Sequence, residues 1–271
     1  GMSVGTSVAV IDYISRIFAP IESLGMEIQT IQSAMAGVKR IDAFLGQPER
    51  ILPGAREKET RGDVALSHVT FGYGEKPVLR DFSMSVRQGE QVTLIGRTGA
   101  GKSTVFKLLL GLYRPEAGTV TIGGVDVSAI TDRERRSCIS CVEQHFSRVP
   151  GTVLEQITLG DPHITEDMAK KAARLAGIDA AIRALPDGYS AVCTDGMFSQ
   201  GEWQLLSIAR AAAADPAVLL LDEITANLDA ETEARVLEAL RHASEGRTVL
   251  SVSHRIYENL GGRTVEIKAR Q

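Results

Sequence analysis

The sequence predicts an α/β fold around a central, mostly parallel sheet, and three observations carry that expectation. After residue 62, short β-type runs alternate with helical stretches. Runs such as Val218-Leu-Leu-Leu221 are apolar without alternation, as parallel strands covered on both faces require. The stretch from about 147 to 214 is mostly helical in pattern and long enough to form a subdomain of its own.

Taken in order, the elements begin with a segment of different character. The apolar residues Ile21, Leu24, Ile28, Ile31, Met35, Val38 and Leu45 recur at three- and four-residue steps, which is one face of a helix. Glu22, Glu27, Gln29, Gln32, Lys39 and Arg40 fall elsewhere around it. The more apolar run from Val8 to Phe18 leads into Pro20, where a helix is expected to kink or restart. Such a stripe cannot bury itself, so it needs a partner. Residues 47–62, charged and marked by Pro and Gly, read as a linker between a helical segment over 1–46 and an α/β domain over 63–271. Within that domain strands are expected at Val64–Thr70, Gln91–Ile95, Thr119–Ile122, Cys138–Val142, Ala217–Leu221 and Thr248–Val252. Helices are expected at Lys102–Leu112, Glu166–Ala176, Glu202–Ala214 and Ala230–Ala243.

Bulk properties narrow the function classes. The 271 residues suffice for one large domain or two small ones. A net charge of -4 leaves no basic footprint for nucleic acid. No run approaches the roughly 20 consecutive apolar residues of a membrane span, and nothing resembles a signal peptide, so the chain as it stands is expected to be soluble. Gly1 ahead of Met2 reads as an addition before a start codon, and so as a fragment of something longer. Three cysteines cannot all pair, which argues against a secreted disulfide framework. Cys138 and Cys141 have CxxC spacing, but Cys193 is remote and no second CxxC or HxxxH completes a tetrahedral site. They read as small residues in an apolar run.

The chemistry starts with the nonapeptide Gly96, Arg97, Thr98, Gly99, Ala100, Gly101, Lys102, Ser103 and Thr104, a GxxxxGK[ST] motif between a strand and a helix. Its glycines let successive N–H groups converge on phosphate oxygens. Lys102 brings a positive charge to the β- and γ-phosphates, the Ser103 hydroxyl suits Mg²⁺, and the helix N-terminus adds partial positive charge. Val218–Leu221 then ends in two carboxylates at the carboxyl end of a strand, where ligands sit in open α/β sheets. Asp222 suits the Mg²⁺ shell, and Glu223 is placed to orient or deprotonate an attacking water. These residues alone point to a Mg²⁺-nucleotide hydrolase.

Phe198-Ser-Gln-Gly-Glu-Trp-Gln204 narrows the reading, because it resembles the LSGGQ motif of ABC ATPases. Other elements fall into order around it over roughly residues 62–260. Tyr73, in Phe71-Gly-Tyr73, resembles the aromatic that stacks on adenine. Gln144 resembles the glutamine between the two subdomains that senses the γ-phosphate and Mg²⁺. Ala226-Asn-Leu-Asp229 is similar to the dimer-contact loop after the catalytic glutamate, and His254 to the histidine that contacts the γ-phosphate. The resemblance implies a P-loop NTPase core with a mostly parallel central sheet, an antiparallel β subdomain and a helical subdomain at about 147–214, preceded by the N-terminal helical segment.

It also implies function. Glu223, His254 and Lys102 are the expected catalytic residues, and Ser103, Gln144 and Asp222 the expected metal contacts. In the family, two such domains pair head to tail, so that Ser199, Gln200 and Gly201 of each close on the other's ATP. ATP and Mg²⁺ are therefore the expected ligands; the expected partners are a second nucleotide-binding domain in the presence of ATP, either a like copy or a partner half, and the transmembrane domain of the same transporter, with no nucleic acid. The segment from Ile17 to Leu45 resembles the cytoplasmic end of an exporter's last membrane helix, which implies work at the cytoplasmic face of the cell membrane. Membrane helices are expected to meet the domain near Gln144–Ile157. Of the alternatives, a soluble ABC-type ATPase acting on DNA or ribosomes predicts a coiled-coil insertion, a tandem second unit or a basic face. A nucleotide-gated module with weak hydrolysis that needs a partner half is the other.

The motif departs from the family pattern at Gln200, in place of the first glycine of its pair, and at Glu202, in place of the final glutamine. Gly201, where the backbone must approach the γ-phosphate, is kept, so function is expected to survive, while Glu202 adds negative charge near phosphate that works against closure. The segment Ser190–Met197 lacks the acidic run that exporters often carry there. His68, His145, His163 and His242 match no motif.

Overall fold

The computed structural model describes residues 4–46, 62–74, 76–97, 99–143, 146–222, 228–252 and 261–267. The chain divides into two units, Gly1–Ile51 and Leu52–Gln271. The first contains one helix, α1 (Val4–Leu45), of 42 residues. It runs through Pro20 without a break, so the expected restart does not occur. A proline inside a helix removes one hydrogen bond, and the remaining turns carry the helix past it. Leu24, Ile28, Ile31, Met35 and Val38 are all exposed along it. Among the described residues no helix is long and apolar enough to cross a membrane.

The second unit contains two sheets. An antiparallel sheet has the order β2-β1-β4-β5, from β1 (Val64–Gly72), β2 (Pro77–Val86), β4 (Ala117–Ile122) and β5 (Val125–Asp126). A parallel sheet has the order β6-β7-β8-β3-β9, from β3 (Gln91–Ile95), β6 (Ile139–Val142), β7 (Val218–Leu221), β8 (Thr248–Ser251) and β9 (Arg263–Glu266). The helices are α2 (Lys102–Leu109), α3 (Asp132–Cys138), α4 (Val153–Thr158), α5 (Glu166–Leu175), α6 (Asp179–Arg183), α7 (Gln200–Ala212) and α8 (Ala230–Ser244).

The central strands are buried on both faces because each feeds two cores. In β7, Val218 and Leu220 join a core with β1, β2, β4 and α2. Leu219 and Leu221 point the other way, into a core built from α4, α5, α6, α7 and α8. A period of two therefore serves two apolar layers, which is why the run shows no polar alternation.

Several expectations need correction. Cys138 ends helix α3 instead of opening a strand, because Thr131 and Glu134 form a reciprocal capping box that starts a helix just before β6. The helix after the phosphate loop stops at Leu109, three residues short of Leu112. β2 escapes sequence reading because its alternation is broken. Its pairing with β1 slips between Leu66 and Val69, and His68 (φ 52°) and Asp81 (φ 49°) adopt left-handed backbone beside the slip. β9 is a short edge strand with only Val265 partly covered.

Candidate functional site

The GxxxxGK[ST] loop leaves the carboxyl end of β3 and enters α2, as its spacing requires. Gly96 (φ 149°), Gly99 (φ 82°) and Gly101 (φ 104°) all lie in the left-handed region. Two of them are also crowded. A Cβ at Gly96 would lie 2.5 Å from the Ile267 carbonyl oxygen, and one at Gly101 would lie 2.9 Å from Leu79 Cδ2. Gly101 is the N-cap of α2 and gives it no side-chain cap, so the first-turn N–H groups receive no hydroxyl or carboxylate from the cap residue. The Lys102 ammonium donates to the carbonyls of Gly96 at 2.8 Å and Arg97 at 3.1 Å, which holds the cation against the loop. Ser103 is exposed at the helix start, whereas Ala100 and Thr104 face inward and are buried. Ala100 and Thr104 can thus serve a ligand only through their backbone as they stand.

Asp222 follows β7, two strands from β3 across β8, at the same carboxyl end of the sheet. At ordinary strand spacing that is about 10 Å of lateral separation. Its N–H donates to the Val142 carbonyl at 3.1 Å. The hydroxyls of Thr93 and Ser251 bond at 2.6 Å, fastening β3 to the intervening β8. The Ser103 hydroxyl and the Asp222 carboxylate are hard oxygen donors, the set that fits Mg²⁺.

Tyr73 lies just beyond β1 with its ring half exposed. Phe71 and Tyr113 meet it edge-on, at centroid distances of 5.1 and 5.3 Å, and Lys107 Nζ lies 5.2 Å from its ring centroid. Its hydroxyl is 3.3 Å from Thr104 Oγ1. This packing ties the aromatic to the phosphate-loop helix, a link through Tyr113 and Thr104 that sequence reading missed.

The LSGGQ-like element begins α7, which belongs to the helical core and not to the core beneath the phosphate loop. Ser199 is the N-cap. Its hydroxyl accepts from the Glu202 N–H at 3.3 Å, while Glu202 Oε2 accepts from the Ser199 N–H at 2.8 Å and from its hydroxyl at 2.9 Å. The Ser-x-x-Glu pattern of a capping box was present in the sequence. Gln200 is exposed, and Gly201 is buried against α8. A Cβ on Gly201 would lie 2.2 Å from Thr232 Cγ2. Asp229 caps α8 by accepting from the Thr232 N–H at 3.0 Å, and that bond holds its carboxyl below the usual range.

A cavity of about 380 Å³ opens beside this element, lined by Phe146, Arg148, Asp195, Gln200, Trp203 and Gln204. Phe146 stacks on Trp203 at 5.2 Å, and Arg148 pairs with Asp195. Arg210 lies with its guanidinium 3.9 Å from the centroid of Phe146, and burial lowers its pKa to about 10, which leaves it charged at neutral pH. The cysteines contribute no such chemistry. Burial, with Glu143 and Asp222 nearby, pushes the Cys141 thiol up to about 12, and Cys138 packs in the core. Among the described residues no group of three or more His, Cys, Asp or Glu side chains could hold a metal ion. Thr98, Gln144, Glu223 and His254 lie outside the described residues.

The sequence profile described as "ABC transporter" matches residues 79–226. The chain is 34% identical over 261 residues to the putative ABC transporter ATP-binding protein exp8 of Streptococcus pneumoniae, covering 94% of this chain and 45% of that protein. It is 37% identical over 259 residues to the mycobactin import ATP-binding/permease protein IrtB of Mycolicibacterium smegmatis, with the same coverage of 94% and 45%. A solved structure of a bacterial Atm1-family ABC exporter with ATP bound superposes with a TM-score of 0.72 at 29% identity, covering 98% of this chain and 48% of that one. The chain thus spans less than half the length of these relatives.

Proposed function

The chain belongs to the ABC transporter family, and on that premise we propose that it is the ATP-binding and ATP-hydrolysing portion of a membrane exporter. The observation that carries this reading is the phosphate loop. Its glycines are in left-handed backbone, Lys102 is held against the loop, and Asp222 sits at the same end of the sheet. In this reading the loop N–H groups, Lys102 and Ser103 bind the β- and γ-phosphates, and Tyr73 stacks on adenine. Ser103, Asp222 and Gln144 hold Mg²⁺, which when bound offsets the negative charge of the phosphates. The Glu223 carboxylate takes a proton from water as the water oxygen bonds to the γ-phosphorus, and the bond to the bridging oxygen of ADP breaks. His254 donates to the γ-phosphate as its charge changes.

ATP is expected to join two such domains head to tail, with Ser199, Gln200 and Gly201 of one meeting the nucleotide of the other and the Asp229 loop lying at the contact. The relatives that combine ATP-binding and permease parts support a transmembrane partner for this chain. We read α1 as the cytoplasmic end of the last membrane helix and residues 144–157 as the surface that meets the membrane portion, at the cytoplasmic face. Export follows the likeness to the exporter structure, while the cargo belongs to the membrane portion.

The capping box favours a second reading, a nucleotide-gated module with weak hydrolysis, because the Ser199 hydroxyl donates to Glu202. One experiment separates the two. Solution size is measured with and without Mg-ATP on Glu223→Gln, alongside the ATPase rate of the parent. A variant that dimerises only with Mg-ATP, beside a parent that hydrolyses it, supports the motor. A dimerising variant beside an inactive parent supports the gated module. A monomeric variant beside an inactive parent refutes the self-pairing motor and supports a module that needs a partner half.

A further inference from the structure

Gln144 lies in sequence between Glu143 and Phe146, and both of those neighbours are held by the helix that begins with the LSGGQ-like element. Gln204 Nε2 donates to the Glu143 carbonyl at 3.1 Å. Phe146 stacks on Trp203, with 27° between the ring planes, and Trp203 also meets Phe198 edge-on at 5.0 Å. Arg210, two turns further along the same side of α7, covers the other neighbours of Phe146. It donates to the carbonyls of Ser147 at 2.8 Å and Gln156 at 2.6 Å. The buried Gln156 side chain in turn donates to the Val149 carbonyl at 2.7 Å and accepts from its N–H at 3.0 Å. Arg148 closes the set, with its guanidinium 5.6 Å from the centroid of Trp203.

The segment is thus fastened to α7 on both sides of residues 144 and 145, by side chains from α7 on each side. Trp203 is the chain's only tryptophan, and its indole stacks on the Phe146 ring. It stands four residues after Ser199 in the same helix, so a displacement of either end is passed along a short rigid element. We propose that Trp203 is a positioning residue whose stack on Phe146 makes the Gln144 segment and the Ser199 element respond to nucleotide as one body. The proposal rests on the reading of Gln144 and Ser199 as nucleotide contacts. Trp203 itself touches no nucleotide in this scheme and acts by keeping two contacts in register.

The test is a double-mutant cycle on the ATPase rate of the whole chain. Trp203→Leu and Phe146→Leu keep an apolar side chain while losing the stack, and Trp203→Phe keeps a ring. If the stack acts as one unit, each leucine variant lowers kcat about tenfold with KM for ATP within about twofold of the parent. The double variant then falls no further than either single, within about twofold, and Trp203→Phe stays within about twofold of the parent. A general loosening of the fold would add in the double variant and would not spare the phenylalanine. Leucine variants at the parent rate, a double variant about a hundredfold down, or an effect confined to KM would each overturn the proposal. A parent that neither binds nor hydrolyses Mg-ATP would instead remove the nucleotide reading, and this inference with it. A parent that hydrolyses ATP with an additive cycle removes this inference alone.

Discussion

Gly201 gains a second reason to be glycine once the fold is known. The sequence suggested close approach of backbone to a phosphate, but the structure puts the Thr232 methyl where a side chain would project. Alanine there forces α7 and α8 apart or pushes Thr232 off its rotamer, an overpacking cost of about 1–3 kcal/mol. Gly201→Ala is therefore expected to lower the unfolding free energy by that amount, read from chemical denaturation. Thr232→Ser removes the clashing methyl but keeps the N–H that Asp229 accepts, and the double variant is expected to recover most of the loss. No recovery in the double variant would mean that the crowding lies elsewhere. Ser199 and Glu202 are likewise more than ligand candidates, since each is the other's partner before any nucleotide arrives.

That pairing belongs to α7 as an element. The box gives the helix a side-chain acceptor for one free N–H and gives the N-cap N–H an acceptor in return. Ser199→Ala is expected to cost about 1 kcal/mol in chemical denaturation. Glu202→Gln keeps an acceptor at the same reach and is expected to stay within about 0.5 kcal/mol of the parent. A large loss in Glu202→Gln would show that its charge stabilises the helix, not only its hydrogen bond. The same box recurs at α3, with Thr131 and Glu134, and at α4, with Thr152 and Glu155. α2 and α6 have no side-chain cap, their N-cap residues being Gly101 and Ile178. Of these two, α2 starts beside the phosphate loop and presents its first-turn N–H groups where the family places phosphate.

Across the second unit, the two sheets are tied by Arg263 on β9. Its guanidinium donates to the Glu90 carboxylate just before β3 and to the Ser85 carbonyl on β2. Arg263, followed by the Arg87 N–H at 2.8 Å, holds the Glu90 carboxyl below its usual range. A lowered carboxyl contributes stability above its unfolded value of about 4.3, and loses it as pH falls through the folded value below that. Glu90→Gln is thus expected to cost about 0.5–1 kcal/mol at pH 7, with the gap to the parent closing in acid below the ordinary carboxylate range. A gap that stays constant with pH would assign the effect to packing. At this scale the division between sequence and structure is plain. The sequence by itself determined the α/β class, the phosphate loop, the Asp222 strand end and the order of the family's motifs, because those depend on local spacing and on apolar runs. It did not yield β2, whose slip at His68 breaks alternation, or α3, whose charged face resembles a turn. Nor did it yield the pairing of Trp203 with Phe146, Gly201 with Thr232, or Arg263 with Glu90. Those pairs join residues 31 to 173 positions apart, and only the packing of sheets and helices, set by all the apolar contacts together, decides which distant side chains meet.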